Sequence, residues 1–154
     1  MMSWGRTIIV LVFAALIASC GHLGLDRAMS TKANPAVYFE IPVTDMSRAQ
    51  RFYSAVFGYD FFEGNIHGND MAFLPFFEDK AGITGALAKG PSYVPSKDGS
   101  LIYLRVENIE STIALAINYG GKVLFPRTKA GDFGFVAEIE DSEGNRIGLS
   151  DAVP

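Results

Sequence analysis

The sequence predicts an α+β domain made of two copies of one β-α-β-β-β unit. Two stretches, which begin at Ala36 and Gly99, share the same order of features: a short strand, an Asx residue, an amphipathic helix and a glycine. The corresponding residues are Val43 and Val106, Asp45 and Asn108, and Gly58 and Gly121. A repeated supersecondary unit strongly limits the fold. It also suggests that a binding site lies between the two units.

The first unit begins with a predicted strand at Ala36–Val43, where aromatic and β-branched residues alternate with others. Asp45 is a good N-cap for the helix that follows, and Gly58 is placed to end that helix. The apolar face of the helix is formed by Ala49, Phe52, Tyr53 and Val56. Further strands are predicted near Tyr59–Glu63, Asp70–Phe76 and Gly82–Lys89, with turn residues in Gly64–Gly68 and Phe77–Ala81.

The second unit follows a linker, Gly90–Gly99, that contains two prolines and two glycines. Its predicted elements are a strand at Leu101–Val106, a cap at Asn108, a helix at Ile109–Tyr119 and strands near Lys122–Phe125, Gly134–Ile139 and Arg146–Ser150. The Asp141–Asn145 turn suits a hairpin, because Gly and Asn tolerate positive φ. Four strands with one helix leave one sheet face uncovered. Two paired units therefore predict an incompletely closed, eight-stranded curved sheet around a cavity.

Composition and charge exclude one class of partner. The chain has 154 residues, of which 49% are hydrophobic and 19% charged, and its net charge is −4. No run of basic residues is present, whereas binding to nucleic acid requires clustered Lys and Arg. We therefore expect no nucleic-acid partner.

The N-terminal segment resembles the signal peptide of a bacterial lipoprotein. Arg6 precedes an apolar run, Thr7–Ser19, that is too short to span a bilayer but has the length of a secretory signal. The run ends in Ile-Ala-Ser before Cys20, the only cysteine, as in a lipobox. The resemblance implies a signal peptide at 1–19, lipidation of Cys20 and a tether at 20–34.

This resemblance places the protein in the cell envelope, lipid-anchored and facing the periplasm. The outer membrane is favoured, because Gly21 is not the Asp that marks inner-membrane retention in some bacteria. The alternatives are a plain signal peptide or an uncleaved anchor, in which Cys20 has no role.

The remainder of the chain resembles the vicinal oxygen chelate superfamily, which contains glyoxalase I, bleomycin-resistance proteins and extradiol dioxygenases. The resemblance is carried by FEIPVTDMSRAQRFYSAVFG, LPFFEDKAGITGALAKG, the PSYVPS linker and DSEGNRIGLSD. It is nearest to the branch described as lactoylglutathione-lyase-related. It implies one domain at 35–154, with modules at 36–89 and 100–151. Because this fold hosts unrelated activities, the resemblance predicts the fold more strongly than the function.

Enzymes of this superfamily usually hold a divalent metal with His and Glu from the first and last strands of each module. The match on Val43 and Val106 puts these positions at Tyr38, Ala86, Leu101 and Gly148, and a shift of two residues brings in Glu40, Tyr103 and Ser150. The domain has one histidine, His67. We therefore expect no divalent metal and no other cofactor. An unusual site using Glu40 with His67 or Glu138 is the alternative.

The predicted ligand-binding residues are Tyr38, Glu40, Tyr103, Arg105 and Arg146, because alternation along a strand points them into the cavity. In one interpretation Glu40 forms a structural ion pair with Arg105 or Arg146. In another, the arginines bind a carboxylate or phosphate of a ligand. Glu40 is also a candidate general base. Four aromatic residues are candidates for lining an apolar pocket: Phe73, Phe76, Phe77 and Phe125.

The leading functional hypothesis is a membrane-anchored domain of this superfamily that binds a small organic molecule without the usual metal. The first alternative is a lyase, isomerase or dioxygenase with an altered or metal-free site. The second is a structural or interaction module without a ligand. Because dimerisation is common in the superfamily, a homodimer is a further expectation.

Overall fold

The computed structural model describes residues 35–151. The predicted signal peptide, the tether and Cys20 lie outside these residues. The elements in chain order are β1 (Tyr38–Pro42), α1 (Met46–Phe57), β2 (Phe62–Ile66), β3 (Asn69–Phe73), β4 (Thr84–Lys89), β5 (Ile102–Arg105), α2 (Ile109–Asn118), β6 (Lys122–Lys129), a short 3₁₀ helix (Gly131–Phe133), β7 (Phe135–Glu140) and β8 (Arg146–Ser150). Within 35–151, no helix is long and apolar enough to cross a membrane.

The strands form two four-stranded sheets with the same topology, in the orders β1-β4-β3-β2 and β5-β8-β7-β6. The first strand of each module pairs in parallel with the last, and the other pairs are antiparallel. The Val43 N–H donates to the Ala88 carbonyl and the Val106 N–H to the Ser150 carbonyl, both at 2.9 Å. The predicted α+β fold of paired modules with an open, curved sheet is therefore confirmed, including the correspondence of Val43 with Val106.

Several strands differ from their predicted bounds: β3 ends at Phe73 rather than Phe76, and β2 and β6 differ most. β2 runs over Phe62–Ile66 rather than Tyr59–Glu63, because Gly64 lies inside the strand instead of in a turn. An added Cβ at Gly64 would lie 3.0 Å from the Phe73 ring, so the glycine gives that ring its space. β6 continues past Phe125 through register irregularities. As an outer strand of its sheet it accommodates Pro126, whose missing N–H needs no partner there.

One hydrophobic core joins the two modules. The predicted apolar face of α1 is buried as expected, with Phe52 at 1% exposure and Tyr53 at 0%. These side chains belong to the same cluster as Ile139 and Leu149 of the second module. The predicted caps of α1 are also confirmed, since the Asp45 side chain accepts the N–H of Arg48 and Gly58 adopts a φ of 71°. The two helices and both sheets are therefore held by a single core.

The Asp141–Asn145 turn between β7 and β8 connects the modules through a buried polar network. Asp141 is 2% exposed and accepts hydrogen bonds from the Tyr53 hydroxyl and from the backbone N–H groups of Glu143 and Asn145, each at 2.8 Å. The Asn145 amide donates to the Asp141 carboxylate at 2.9 Å and to the Pro42 carbonyl at 2.8 Å. The second module thus bonds directly to β1 and α1 of the first.

Glu143, in the same turn, bonds to residues at the start of α1. Its carboxylate accepts the backbone N–H groups of Thr44 and Asp45, both at 3.0 Å, and pairs with Arg48 at 2.7 Å. Burial alone would raise the pKa of Glu143, but the hydrogen bonds from Arg48, Asp45 and Thr44 outweigh it and lower the pKa to about 2. The carboxylate is therefore ionised at neutral pH and holds the β1–α1 junction against the turn.

Candidate functional site

Two cavities are bordered by both β1 and β5, the first strands of the two modules. The larger has a volume of about 640 Å³ and is lined by Phe39 of β1, Thr84 of β4, β5 and the loop from Leu74 to Ile83. The smaller, of about 220 Å³, is lined by Glu40–Pro42, the linker from Val94 to Ser100, Ile102 and the start of β8. Both lie between the modules, where the repeat suggested a binding site.

The predicted ligand residues are divided between these cavities. Tyr103 and Arg105 line the larger cavity, and Glu40 and Arg146 line the smaller one. Tyr38 lines neither of them and is 42% exposed. Burial, and then the charge of nearby Glu40, raise the pKa of the Tyr38 phenol. The five residues therefore do not form one compact site.

The expected ion pair of Glu40 with an arginine is not formed. Arg146 bonds to Glu138 of the neighbouring strand β7 through two contacts, of 2.7 and 2.9 Å. Glu40 instead accepts a 2.6 Å hydrogen bond from the hydroxyl of Tyr93. The reason is proximity: β7 and β8 are hydrogen-bonded antiparallel neighbours, and Tyr93 of the linker reaches β1. A role for Glu40 as a general base stays a prediction.

Arg105 differs from the other predicted arginine. It forms no ion pair or side-chain hydrogen bond with any residue in 35–151, whereas Arg48, Arg127 and Arg146 are all paired with carboxylates. Besides the larger cavity, it borders a depression of about 330 Å³ beside the start of α2. Its guanidinium is therefore left with hydrogen-bond donors directed to solvent or to a bound molecule.

The residues at the metal-ligand positions do not match the usual donor set. Ala86 is fully buried in a cluster with Met71 and Ala88, against which the Tyr93 ring packs. At Gly148, an added Cβ would lie 2.5 Å from the Tyr103 ring. Small side chains are therefore required at both positions, and neither residue supplies a side-chain donor.

In the alternative metal site, the Glu40 and His67 positions lie far apart. His67 lies at the turn between β2 and β3, with a φ of 51°, while Glu40 lies on β1 at the other edge of that sheet. Three strand spacings correspond to about 14 Å. Among residues 35–151, no group of three or more His, Cys, Asp or Glu side chains is arranged to hold a metal ion.

The sequence patterns did not single out Tyr59, which lines the larger cavity, or Tyr93, which bonds to the cavity residue Glu40. Tyr93 was placed only within the linker, yet its ring packs on the open sheet face of the first module. An aromatic residue inside a Gly- and Pro-rich linker was the available signal. Tyr59 lines the larger cavity, stacks on Phe57 at 5.4 Å, and has a phenol whose pKa is raised by burial. Phe77 lines the same cavity, which agrees with its prediction as a pocket residue.

Comparison with known proteins agrees with this architecture. A family model described as bleomycin resistance protein-like N-terminal matches residues 36–74. A glyoxylase-like domain-containing protein of Didymella fabae is 33% identical over 113 residues, covering 69% of this chain and 84% of that protein. The candidate glyoxylase CFP32 of Mycobacterium bovis is 24% identical over 114 residues, which are 73% of this chain and 43% of CFP32.

A similar solved structure is that of TnmS3, an antibiotic-binding protein from a Streptomyces species. It has a TM-score of 0.57 and 25% identity, covering 80% of this chain and 99% of TnmS3. Together with the relative from Didymella fabae, these matches define the class of protein. The chain belongs to the glyoxalase and bleomycin-resistance group of the vicinal oxygen chelate superfamily. It spans less than half the length of the mycobacterial relative.

Proposed function

We propose that this protein binds a small organic molecule in the larger cavity between its modules, without a divalent metal, while anchored to a membrane through Cys20. The observation that carries the ligand proposal is the cavity itself. Its volume of about 640 Å³ falls within the range typical of small-molecule sites, and its lining is mainly apolar with a few polar groups. The similarity to TnmS3, described as antibiotic-binding, supports binding as the role.

The metal-independent part of the proposal rests on residue chemistry. Ala86 and Gly148 stand at the last-strand positions, and neither has a side-chain atom that donates to a metal. The Tyr103 ring occupies the space that a side chain at Gly148 would need, and Ala86 is fully buried.

Blocking the larger cavity is expected to abolish binding of a neutral apolar probe. Ala81 lines this cavity, so Ala81→Trp places an indole inside it, whereas Ser100→Trp fills the smaller cavity and is the matched control. N-phenylnaphthylamine, an uncharged dye that fluoresces in apolar surroundings, would be titrated into the full chain. We expect Ala81→Trp to weaken its affinity at least about tenfold and Ser100→Trp to leave it unchanged, with or without EDTA.

The reverse pattern would place the ligand in the smaller cavity, and equal binding by both variants would contradict a defined site. A stoichiometric metal that raises the unfolding midpoint of the full chain would contradict the metal-independent part, since a ligand of the native state stabilises it by mass action.

The membrane anchor is tested separately in bacterial cells that process lipoproteins. Cys20→Ser removes the thiol that would carry the lipid, and we expect the protein to move from the membrane fraction to the soluble fraction. Ser19→Ala, which keeps the thiol, is the control. Mass spectrometry of the wild-type N-terminus should find acyl chains on Cys20. An unmodified Cys20 would contradict the anchor and leave the ligand proposal unaffected.

A further inference from the structure

We infer that the ligand of the larger cavity is an amphipathic organic anion, whose charged end is bound by Arg105 and whose apolar body lies toward the loop from Leu74 to Ile83. This inference rests on the proposed function and specifies the ligand class. It depends on the charges that line the cavity, on the missing partner of Arg105 and on the distribution of apolar side chains.

The charge of the larger cavity comes from one residue. Its lining residues include no Asp or Glu, and Arg105 is the only charged one among them. The smaller cavity differs, because Glu40 and Asp98 line it together with Arg146, whose charge is already balanced by Glu138. The one charge among the residues that line the larger cavity is therefore positive, and it favours an anionic group at that point.

Arg105 also has the geometry for this role. It is the last residue of β5, and its guanidinium has no carboxylate partner within 35–151. A guanidinium presents a planar fork of donors that matches a carboxylate or phosphate in a two-point contact. Tyr103, two residues earlier on the same strand and 47% exposed, adds a phenol to the same cavity. This end of the cavity therefore offers donors to an anionic group.

The loop from Leu74 to Ile83 supplies an apolar part of the cavity lining. It includes Leu74, Phe77 and Ile83, of which Phe77 is 62% exposed and Ile83 42% exposed. The base of this loop is fixed by the Thr84 hydroxyl, whose single hydrogen donates to the Pro75 carbonyl at 3.0 Å or to the Leu74 carbonyl at 3.3 Å. Exposed aromatic and aliphatic groups on an anchored loop offer a surface for the apolar body of a ligand. A ligand that contacts both the donors of Arg105 and Tyr103 and the apolar loop is apolar along most of its length and anionic at one end.

Two probes that share an apolar body test this inference. Anilinonaphthalene sulfonate is an anion, and N-phenylnaphthylamine has the same aromatic rings without the sulfonate. Both would be titrated by fluorescence into the full chain, Arg105→Gln and Arg51→Gln, with protein-free buffer as the blank. Arg51 is the matched control, since it is an exposed arginine of α1 that forms no ion pair within 35–151 and lines none of the three cavities described above.

We expect Arg105→Gln to weaken the affinity for the anionic probe at least about tenfold and to leave the affinity for the neutral probe unchanged. Arg51→Gln should change neither affinity. Added salt should weaken the binding of the anionic probe but not of the neutral probe, and it should do so only in the proteins that keep Arg105. Arg105→Lys, which keeps the charge but not the fork, should lie between wild type and Arg105→Gln.

If Arg105→Gln lost affinity for both probes equally and had a lowered unfolding midpoint, Arg105 would have a structural role and the inference would be overturned. Equal affinity of wild type and Arg105→Gln for the anionic probe would overturn it as well, while sensitivity of the neutral probe to Ala81→Trp would leave the proposed cavity intact. Failure of both probes to bind wild type would instead contradict the proposed function.

Discussion

Replacing Asp141 with alanine is expected to lower the free energy of unfolding by about 3–5 kcal/mol. The Asp141 carboxylate accepts four hydrogen bonds, from the Tyr53 hydroxyl, the Asn145 amide and the backbone N–H groups of Glu143 and Asn145. Burial raises the pKa of Asp141, and these hydrogen bonds oppose that change. Removing the carboxylate leaves these donors without their acceptor, at a place where the two modules meet.

Chemical denaturation of Asp141→Ala and of the control Asp79→Ala would measure this effect. Asp79 is largely exposed and, within 35–151, pairs only with its neighbour Lys80, so its replacement should change stability by less than about 0.5 kcal/mol. A loss below about 1 kcal/mol in Asp141→Ala would show that water replaces the carboxylate. The network would then not be what holds the modules together.

Gly85→Ala is expected to cost about 3 kcal/mol or more, at the upper end of the range for overpacking. Gly85 of β4 is paired in register with Phe39 of β1. A methyl group at Gly85 would overlap the Phe39 carbonyl oxygen and would lie 2.6 Å from the Phe39 ring. The carbonyl belongs to the strand backbone, so the overlap is relieved only if β1 and β4 separate.

Gly64→Ala is the control, because it places the same methyl group inside another strand. There the nearest atom is Cε2 of the Phe73 ring, at 3.0 Å, and a ring can turn where a backbone cannot. We expect Gly64→Ala to change the free energy of unfolding by no more than about 1 kcal/mol. Equal losses in the two variants, measured by urea denaturation, would contradict the backbone overlap at Gly85.

Local sequence patterns predicted much of the fold correctly. The spacing of Phe52, Tyr53 and Val56 and the cap at Asp45 define α1, because helix periodicity and capping depend on near neighbours. The correspondence of Val43 with Val106 was readable because both modules repeat the same local signals. The position of β2 was predicted wrongly, since Gly64 reads as a turn residue unless the Phe73 ring beside it is known.

Contacts between distant residues were not readable in the same way. The turn residues Asp141 and Glu143 were predicted only to form a hairpin, yet they bond to Tyr53 and Thr44 of the other module. For the site, Tyr103 and Arg105 line the larger cavity as predicted, but Ile102 and Leu104 line it as well, so alternation along β5 did not separate the cavity residues. Alternation also did not identify the partner of Arg146, because a face pattern states which side a residue lies on but not which neighbour reaches it first.

The rings of Tyr103 and Tyr93 also affect which mutations could introduce the usual metal ligands of the superfamily into this chain. A carboxylate introduced at Gly148 would meet the Tyr103 ring, and one introduced at Ala86 would enter a fully buried cluster against which Tyr93 packs. At Gly148 the new ligand would also require the Tyr103 ring to move or to be replaced. A buried carboxylate without a metal is destabilising, so the single mutants are disfavoured intermediates. A metal centre of the usual superfamily type would therefore need more than one substitution in this chain.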